Sequence, residues 1–145
     1  MTPFPHHYHA LSSAGPDGEI AMESSNLQTL QIMPPAEFGG PGDRWSPETL
    51  LVGALSNCYL LTFRAIARAS KLSWVSLRCA VEGVLEREQG NARFTRFLVN
   101  AVLVVPAGTD LEVAKRLLHK AEQGCLISNS LNGVRELTVS VETVS

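Results

Sequence analysis

Residues 45–63 read WSPETLLVGALSNCYLLTF, and their reading decides the fold. Ser46 and Pro47 have the chemistry of a helix N-cap and first helical position. Glu48 follows in the first turn, where the helix dipole favours an anion. From Leu50 to Phe63 the run is apolar on almost every side, interrupted by Ser56 and Asn57 and carrying one thiol, Cys58. The spacing predicts a helix that continues to Ser70 or Lys71, with Arg64, Arg68 and Lys71 on a polar side near its end. A helix so apolar must be central, with the rest of the chain packed against it.

Working outward on the N-terminal side, PPAEFGGPGDR (34–44) holds three prolines and three glycines and is a long loop. Long ordered loops in compact domains are often functional. Before it, HHYHALSS (6–13), EIAMES (19–24) and LQTLQIM (27–33) are strand-like, separated by the turn AGPDG and by SN. On the C-terminal side, residues 74–88 and 92–106 predict two long strands of a hairpin around QGN. In the first of these, Val75, Leu77, Cys79 and Val81 share a face that continues through Gly83 to Leu85. Asp110 can cap a helix whose apolar positions Leu111, Ala114, Leu117, Leu118 and Ala121 recur with helical period. Gly124 is a candidate stop, ISNSL (127–131) a further helical turn, and ELTVSVETV (136–144) an alternating strand. The order is β-β-β-α-β-β-α-β, an α+β protein with antiparallel sheet on a long helix.

The 145 residues fit a single domain, 1–145. With 45% hydrophobic residues, 18% charged residues and a net charge of −2, the chain is globular. It offers no electrostatic reason to bind nucleic acid or an anionic membrane. The N-terminus has neither the basic nor the apolar region of a secretory signal. The Leu50–Phe63 run is shorter than the roughly 20 residues of a membrane span. A soluble, cytoplasmic protein with reduced thiols is therefore expected. Three cysteines without a C-x-x-C pair, and four histidines without zinc spacing, give no metal site. His7 and His9 share a predicted strand face and could hold a metal, but a solvated or packed pair is the ordinary state.

Cys58 admits two readings. Free cysteine is among the most often buried residues and packs as a small hydrophobe, while Ser56 and Asn57 beside it suggest a local need for hydrogen bonds. Cys79 occupies a core slot in an alternating strand and is expected to be inert and apart from the other thiols. Cys125 follows a helix stop among small and polar residues, a position that can hold a thiol near backbone N–H groups and favour the thiolate. His119 lies near Cys125 in sequence, as a cysteine–histidine hydrolase would require, but no nucleophile elbow accompanies it. Phe38 and Trp45 either line an apolar pocket or simply cover the loop.

The segment SPETLLVGALSNCYLLTFRAIA (46–67), together with AEQGCLISNSL (121–131), resembles the OsmC/organic hydroperoxide resistance family of thiol-dependent peroxidases. The specific features are the S-P-E opening, a cysteine ten residues after the glutamate, and a second cysteine in a G-C-x-x-S context. The resemblance implies an intertwined homodimer with active sites at the subunit interface. It makes Cys58 the peroxidatic thiol, Cys125 the resolving one, and matches Glu48 to the family's glutamate. The implied reaction reduces small organic hydroperoxides through a sulfenate and a disulfide, with an external dithiol as reductant and no metal, flavin or haem. Where the family carries an arginine in its first hairpin turn, this chain has Pro16. Arg44, just before the helix, is the candidate substitute, anchored by Glu48. The alternative is a small-molecule-binding or stress protein of the same fold with little peroxidase activity. Glu48 and Cys58 lie about 15 Å apart along one helix at about 1.5 Å per residue. Glu48 would therefore serve the thiol of the other subunit, across a two-fold axis.

Overall fold

The computed structural model describes residues 1–144. The chain divides into two compact units, Met1–Leu51 and the remainder from Val52 onward.

The first unit carries a three-stranded antiparallel meander, β1 (Leu11–Ser13), β2 (Ile20–Glu23) and β3 (Leu30–Ile32), in sheet order β1-β2-β3. All three strands are shorter than the sequence predicts. His7 and His9 lie before β1 in exposed, non-strand backbone, so they do not share a strand face. The loop after β3 contains one 3-10 turn, Ala36–Phe38, closed by Gly39 at φ 85°. Its return is tied down where Met33 N–H donates to the Trp45 carbonyl at 3.1 Å.

Helix α1 (Pro47–Ala69) starts on a reciprocal cap. Ser46 Oγ accepts from the Thr49 N–H at 3.1 Å, and Thr49 Oγ1 accepts from the Ser46 N–H at 2.8 Å. Two donors that the helix start leaves orphaned are thereby satisfied, with Pro47 at the position where a missing N–H costs nothing. The helix stops at Lys71, which adopts φ 56°. Leu72 N–H then reaches the Ala67 carbonyl at 2.9 Å and Lys71 N–H the Arg68 carbonyl at 3.2 Å, a Schellman-type closure without glycine. By length and composition alone, this 23-residue helix is long and apolar enough to cross a membrane. Its buried stripe, Leu55, Tyr59, Phe63 and Ala67, instead belongs to the core of the second unit.

That core is built on β4 (Ser76–Glu88) and β5 (Asn91–Val105), joined by a two-residue turn at Gln89 and Gly90. Both turn residues have positive φ, 51° and 83°, the twist a tight hairpin needs. Phe97, Val99, Ala101, Leu103 and Val105 alternate inward along β5 and are buried. Phe63 meets Trp74 edge-on at 5.4 Å, and the Tyr59 hydroxyl donates to the Leu118 carbonyl at 2.9 Å. Burying side chains of this size stabilises by roughly 1.5–3 kcal/mol each. The inward face of β4 does not extend as far as alternation suggests. Val75 lies outside the strand and is exposed, and a bulge between Val84 and Leu85 turns Leu85 outward.

Helix α2 (Leu111–Gly124) is capped by Asp110, whose Oδ1 accepts from the N–H groups of Glu112 and Val113 at 3.0 and 3.3 Å. Ala114, Leu117, Leu118 and Ala121 form its buried stripe. Gly124 is the last helical residue and its φ is not positive, so it does not reverse the chain. Cys125 ends α2 and begins the four-residue helix α3 (Leu126–Asn129). Strand β6 (Val134–Thr143) then pairs in parallel with β5, Arg96 opposite Val134 through Val105 opposite Thr143. The second sheet is therefore mixed, order β4-β5-β6, where an antiparallel one was expected. The reason is topological. Alternation predicts a strand but not its direction, and the α2–α3 connection returns the chain so that β6 runs alongside β5.

Candidate active site

The second unit brings Cys58 and Cys125 together. Cys58 stands on α1 one residue before the buried Tyr59 and is half-buried. Cys125 is fully buried at the α2–α3 junction. Burial pushes the Cys58 thiol up, yet its pKa lies below the ordinary value. The N–H of Ile127, the thiol of Cys125, the hydroxyl of Thr62 and the N–H of Leu126 all direct hydrogen bonds to its sulfur. The Thr62 Oγ1 atom is 3.9 Å from Cys58 Sγ, one helical turn along. The start of α3 thus presents two backbone donors to one sulfur.

Cys125 is displaced in the opposite direction. Burial raises its pKa most. The Ser128 N–H lowers it, while the bond to Cys58 and the negative charges of Cys58 and Glu122 raise it further. The two thiols are therefore displaced in opposite senses, Cys58 toward easier and Cys125 toward harder ionisation. A thiolate beside a thiol in hydrogen-bonding reach is an arrangement able to attack an electrophile and then close a disulfide.

Cys79 lies on β4 and is half-buried. Burial pushes its thiol up to about 12, with the charges of Cys125 and Glu122 adding to the effect. Its slot on β4 faces the same interior as Cys125, opposite Ala101 of β5. Ser56 and Asn57 do not serve the thiol. Ser56 Oγ donates back to the Gly53 carbonyl at 2.9 Å, and Asn57 is exposed. His119 is exposed on α2, and among the described residues no hydrogen bond links it to a thiol.

Around Cys125 lies a network that sequence reading missed. Glu122 Oε1 accepts from Ser128 Oγ at 2.7 Å and from Arg135 Nε at 3.1 Å. Arg135 Nη1 donates to the Ser128 carbonyl. The only signal in the sequence was the run of polar residues flanking Cys125.

In the first unit, Arg44 pairs with Glu19 at 3.3 Å and with Asp43 at 3.1 Å, not with Glu48. Glu48 lines an apolar cavity of ≈ 240 Å³ with Ile20, Ile32, Met33 and Phe38. Its Oε1 is buried without a hydrogen-bond partner. Arg44 and Trp45 line a separate, wider cleft of ≈ 520 Å³. Pro16 lies in the exposed turn between β1 and β2.

Residues 40–140 match the model of the OsmC-like protein family. The chain is 32% identical over 119 residues to the protein YmaD of Bacillus subtilis, covering 80% of this chain and 79% of that one. It is 28% identical over 137 residues to the organic hydroperoxide resistance protein of Xanthomonas axonopodis pv. citri, covering 92% of each. Among solved structures, an OsmC-like protein from Vibrio cholerae superimposes with a TM-score of 0.84 at 18% identity, over 94% of this chain and all of that one.

Proposed function

The chain belongs to the OsmC-like protein family, and from that premise we propose that it is a thiol-dependent peroxidase acting on small organic hydroperoxides. The observation that carries this reading is the opposed pair of thiols, Cys58 lowered by the donors of α3 and Cys125 raised beside it. The relative from Xanthomonas, an organic hydroperoxide resistance protein, supports the substrate class.

The Cys58 thiolate attacks the terminal oxygen of the hydroperoxide. The O–O bond breaks, the sulfur takes the terminal OH and is oxidised to a sulfenic acid, and the departing alkoxide leaves as the alcohol by taking back from solvent the proton that Cys58 gave up on ionising. The Cys125 thiol then attacks that sulfur, giving a disulfide and one water. An external dithiol reduces the disulfide and restores both thiols. Every step uses this chain's own groups, the peroxide and the dithiol.

Glu48 and Arg44 enter through a homodimer. The continuous helix from Pro47 to Ala69 keeps Glu48 remote from Cys58 along its own axis. In a two-fold dimer, Glu48 of one subunit serves the thiol of the other. Its buried, unpartnered oxygen is a group that native proteins rarely leave unsatisfied. Exposed apolar side chains such as Leu27, Phe38, Trp45 and Leu61 supply surface for such an interface. Arg44 would have to leave Glu19 and Asp43, exposed pairs that contribute little to stability.

A second reading, a small-molecule-binding or stress protein of this fold with little turnover, rests on Pro16. The turn that carries the family's arginine holds no cation here, and Arg44 has other partners. Purified protein with tert-butyl hydroperoxide and dithiothreitol separates the two. Peroxide consumption that disappears in Cys58→Ser supports the peroxidase, and a rate equal to buffer in the unaltered protein supports the binding protein.

A further inference from the structure

The four residues of α3 form too short a helix to hold its shape alone, since helices of this length are marginal without tertiary support. Yet its first N–H groups must stay aimed at Cys58 Sγ. Three side chains from three elements converge on it. Glu122 comes from the last turn of α2, Arg135 from β6, and Ser128, fully buried, from α3 itself. Glu122 is 14% exposed at its side chain and Arg135 32%, so the carboxylate is largely shielded from water and the guanidinium partly. The carboxylate binds both the Ser128 hydroxyl and the guanidinium, and the guanidinium in turn donates to the Ser128 carbonyl near the C-terminal end of the helix. The loop closes on itself: carboxylate, hydroxyl, main chain, guanidinium.

We infer that Glu122, Ser128 and Arg135 form a clamp that positions α3, so that the N–H groups of Leu126 and Ile127 face the sulfur of Cys58. The three are positioning residues and none of them touches the substrate. The inference rests on the proposed function only for its catalytic meaning; the clamp itself is a statement about the resting thiol. A guanidinium that holds the Glu122 carboxylate through Nε and the Ser128 carbonyl through Nη1 suits this task better than apolar packing, because its planar fork fixes orientation as well as distance.

The test is the pH profile of Cys58 alkylation by iodoacetamide, followed by mass spectrometry of the Cys58 and Cys79 peptides, with no peroxide present. Glu122→Gln keeps an acceptor for the Ser128 hydroxyl but loses the charge that holds Arg135. Its Cys58 profile should move to higher pH, with alkylation at pH 7 roughly tenfold slower, while the Cys79 profile, relieved of the Glu122 charge, should move the other way, to lower pH. Ser128→Ala should shift the Cys58 profile the same way by less, and Arg135→Lys should fall between the unaltered protein and Glu122→Gln, since lysine keeps charge without the planar fork. Near-UV circular dichroism identifies the folded variants. If Glu122→Gln does not fold, Ser128→Ala decides. A folded variant whose Cys58 profile superimposes on that of the unaltered protein overturns the clamp. A shifted profile in a protein that consumes no hydroperoxide upholds the clamp and refutes the peroxidase.

Discussion

Cys58 and Cys79 are the same residue, both half-buried and Cys79 the more deeply, and their chemistry diverges. Around Cys58, burial is outweighed by two backbone N–H groups, a thiol and a hydroxyl, and its pKa falls. Around Cys79, burial acts with the charges of Cys125 and Glu122, and the thiol is pushed up to about 12. Burial by itself makes a cysteine inert. What makes one reactive is the supply of donors, and here two of the four come from the short helix that follows Cys125.

The strongest way to break the comparison is to exchange the two thiols' fates by mutation. Cys58→Ser should reduce hydroperoxide consumption to the level of buffer, while Cys79→Ala leaves the rate unchanged. Equal losses in both would end the distinction. Next in size is Cys125→Ser, which should stop the cycle after one oxidation. Turnover with dithiothreitol is expected to drop roughly tenfold or more, and a sulfenic acid on Cys58 should become trappable with dimedone. A disulfide in that variant would point to Cys79 as a substitute resolving thiol.

The smaller predictions sharpen the comparison. Cys79→Ala should cost about 1 kcal/mol in urea unfolding through lost packing. It should also alter the response to alkali. A thiol held at about 12 in the fold, against 9.0 when free, binds more protons folded than unfolded between those values. Stability is therefore full below about pH 9 and declines as pH rises toward 12, and Cys79→Ala should flatten that decline. An unchanged alkaline slope would show that Tyr59 and Cys125, both also raised chiefly by burial, account for it. The smallest expected effect is in Thr62→Val, which removes one of four donors to Cys58. Its alkylation profile should shift upward by less than that of Glu122→Gln.

Much of this was legible because the relevant signals are local. The Ser46–Pro47 start, the Asp110 cap, the 74–106 hairpin and the terminal strand each announce themselves through capping, turn or alternation chemistry. The first three strands were placed but drawn too long. They contribute only 10 paired residues between them, and much of their surroundings is exposed, so periodicity has no boundary to mark. The parallel direction of β6 was beyond alternation, which is identical for either direction. At the site, the thiol pair followed from family resemblance, not from spacing. Ser56 and Asn57 were misleading, since a serine inside a helix often bonds back to its own preceding turn. The clamp was missed because it joins residues 122, 128 and 135 through a chain reversal that no period reveals.

The buried stripe of α1 has one more consequence, and it is angular. Leu55, Tyr59, Phe63 and Ala67 follow one another at intervals of four residues, while neighbouring residues on a helix are separated by about 100° of rotation. Three consecutive positions therefore sample three settings. Asn57 is turned to the outside, Tyr59 is sealed in the core, and Cys58 stands between them, half-covered. The helix acts as a dial with coarse stops. Moved one stop back, to position 57, the thiol would point outward, with burial no longer acting on it. Moved one stop forward, to 59, it would occupy a site without access to a peroxide. Only one setting allows a sulfur to be met by main-chain donors on one side and by a small molecule on the other.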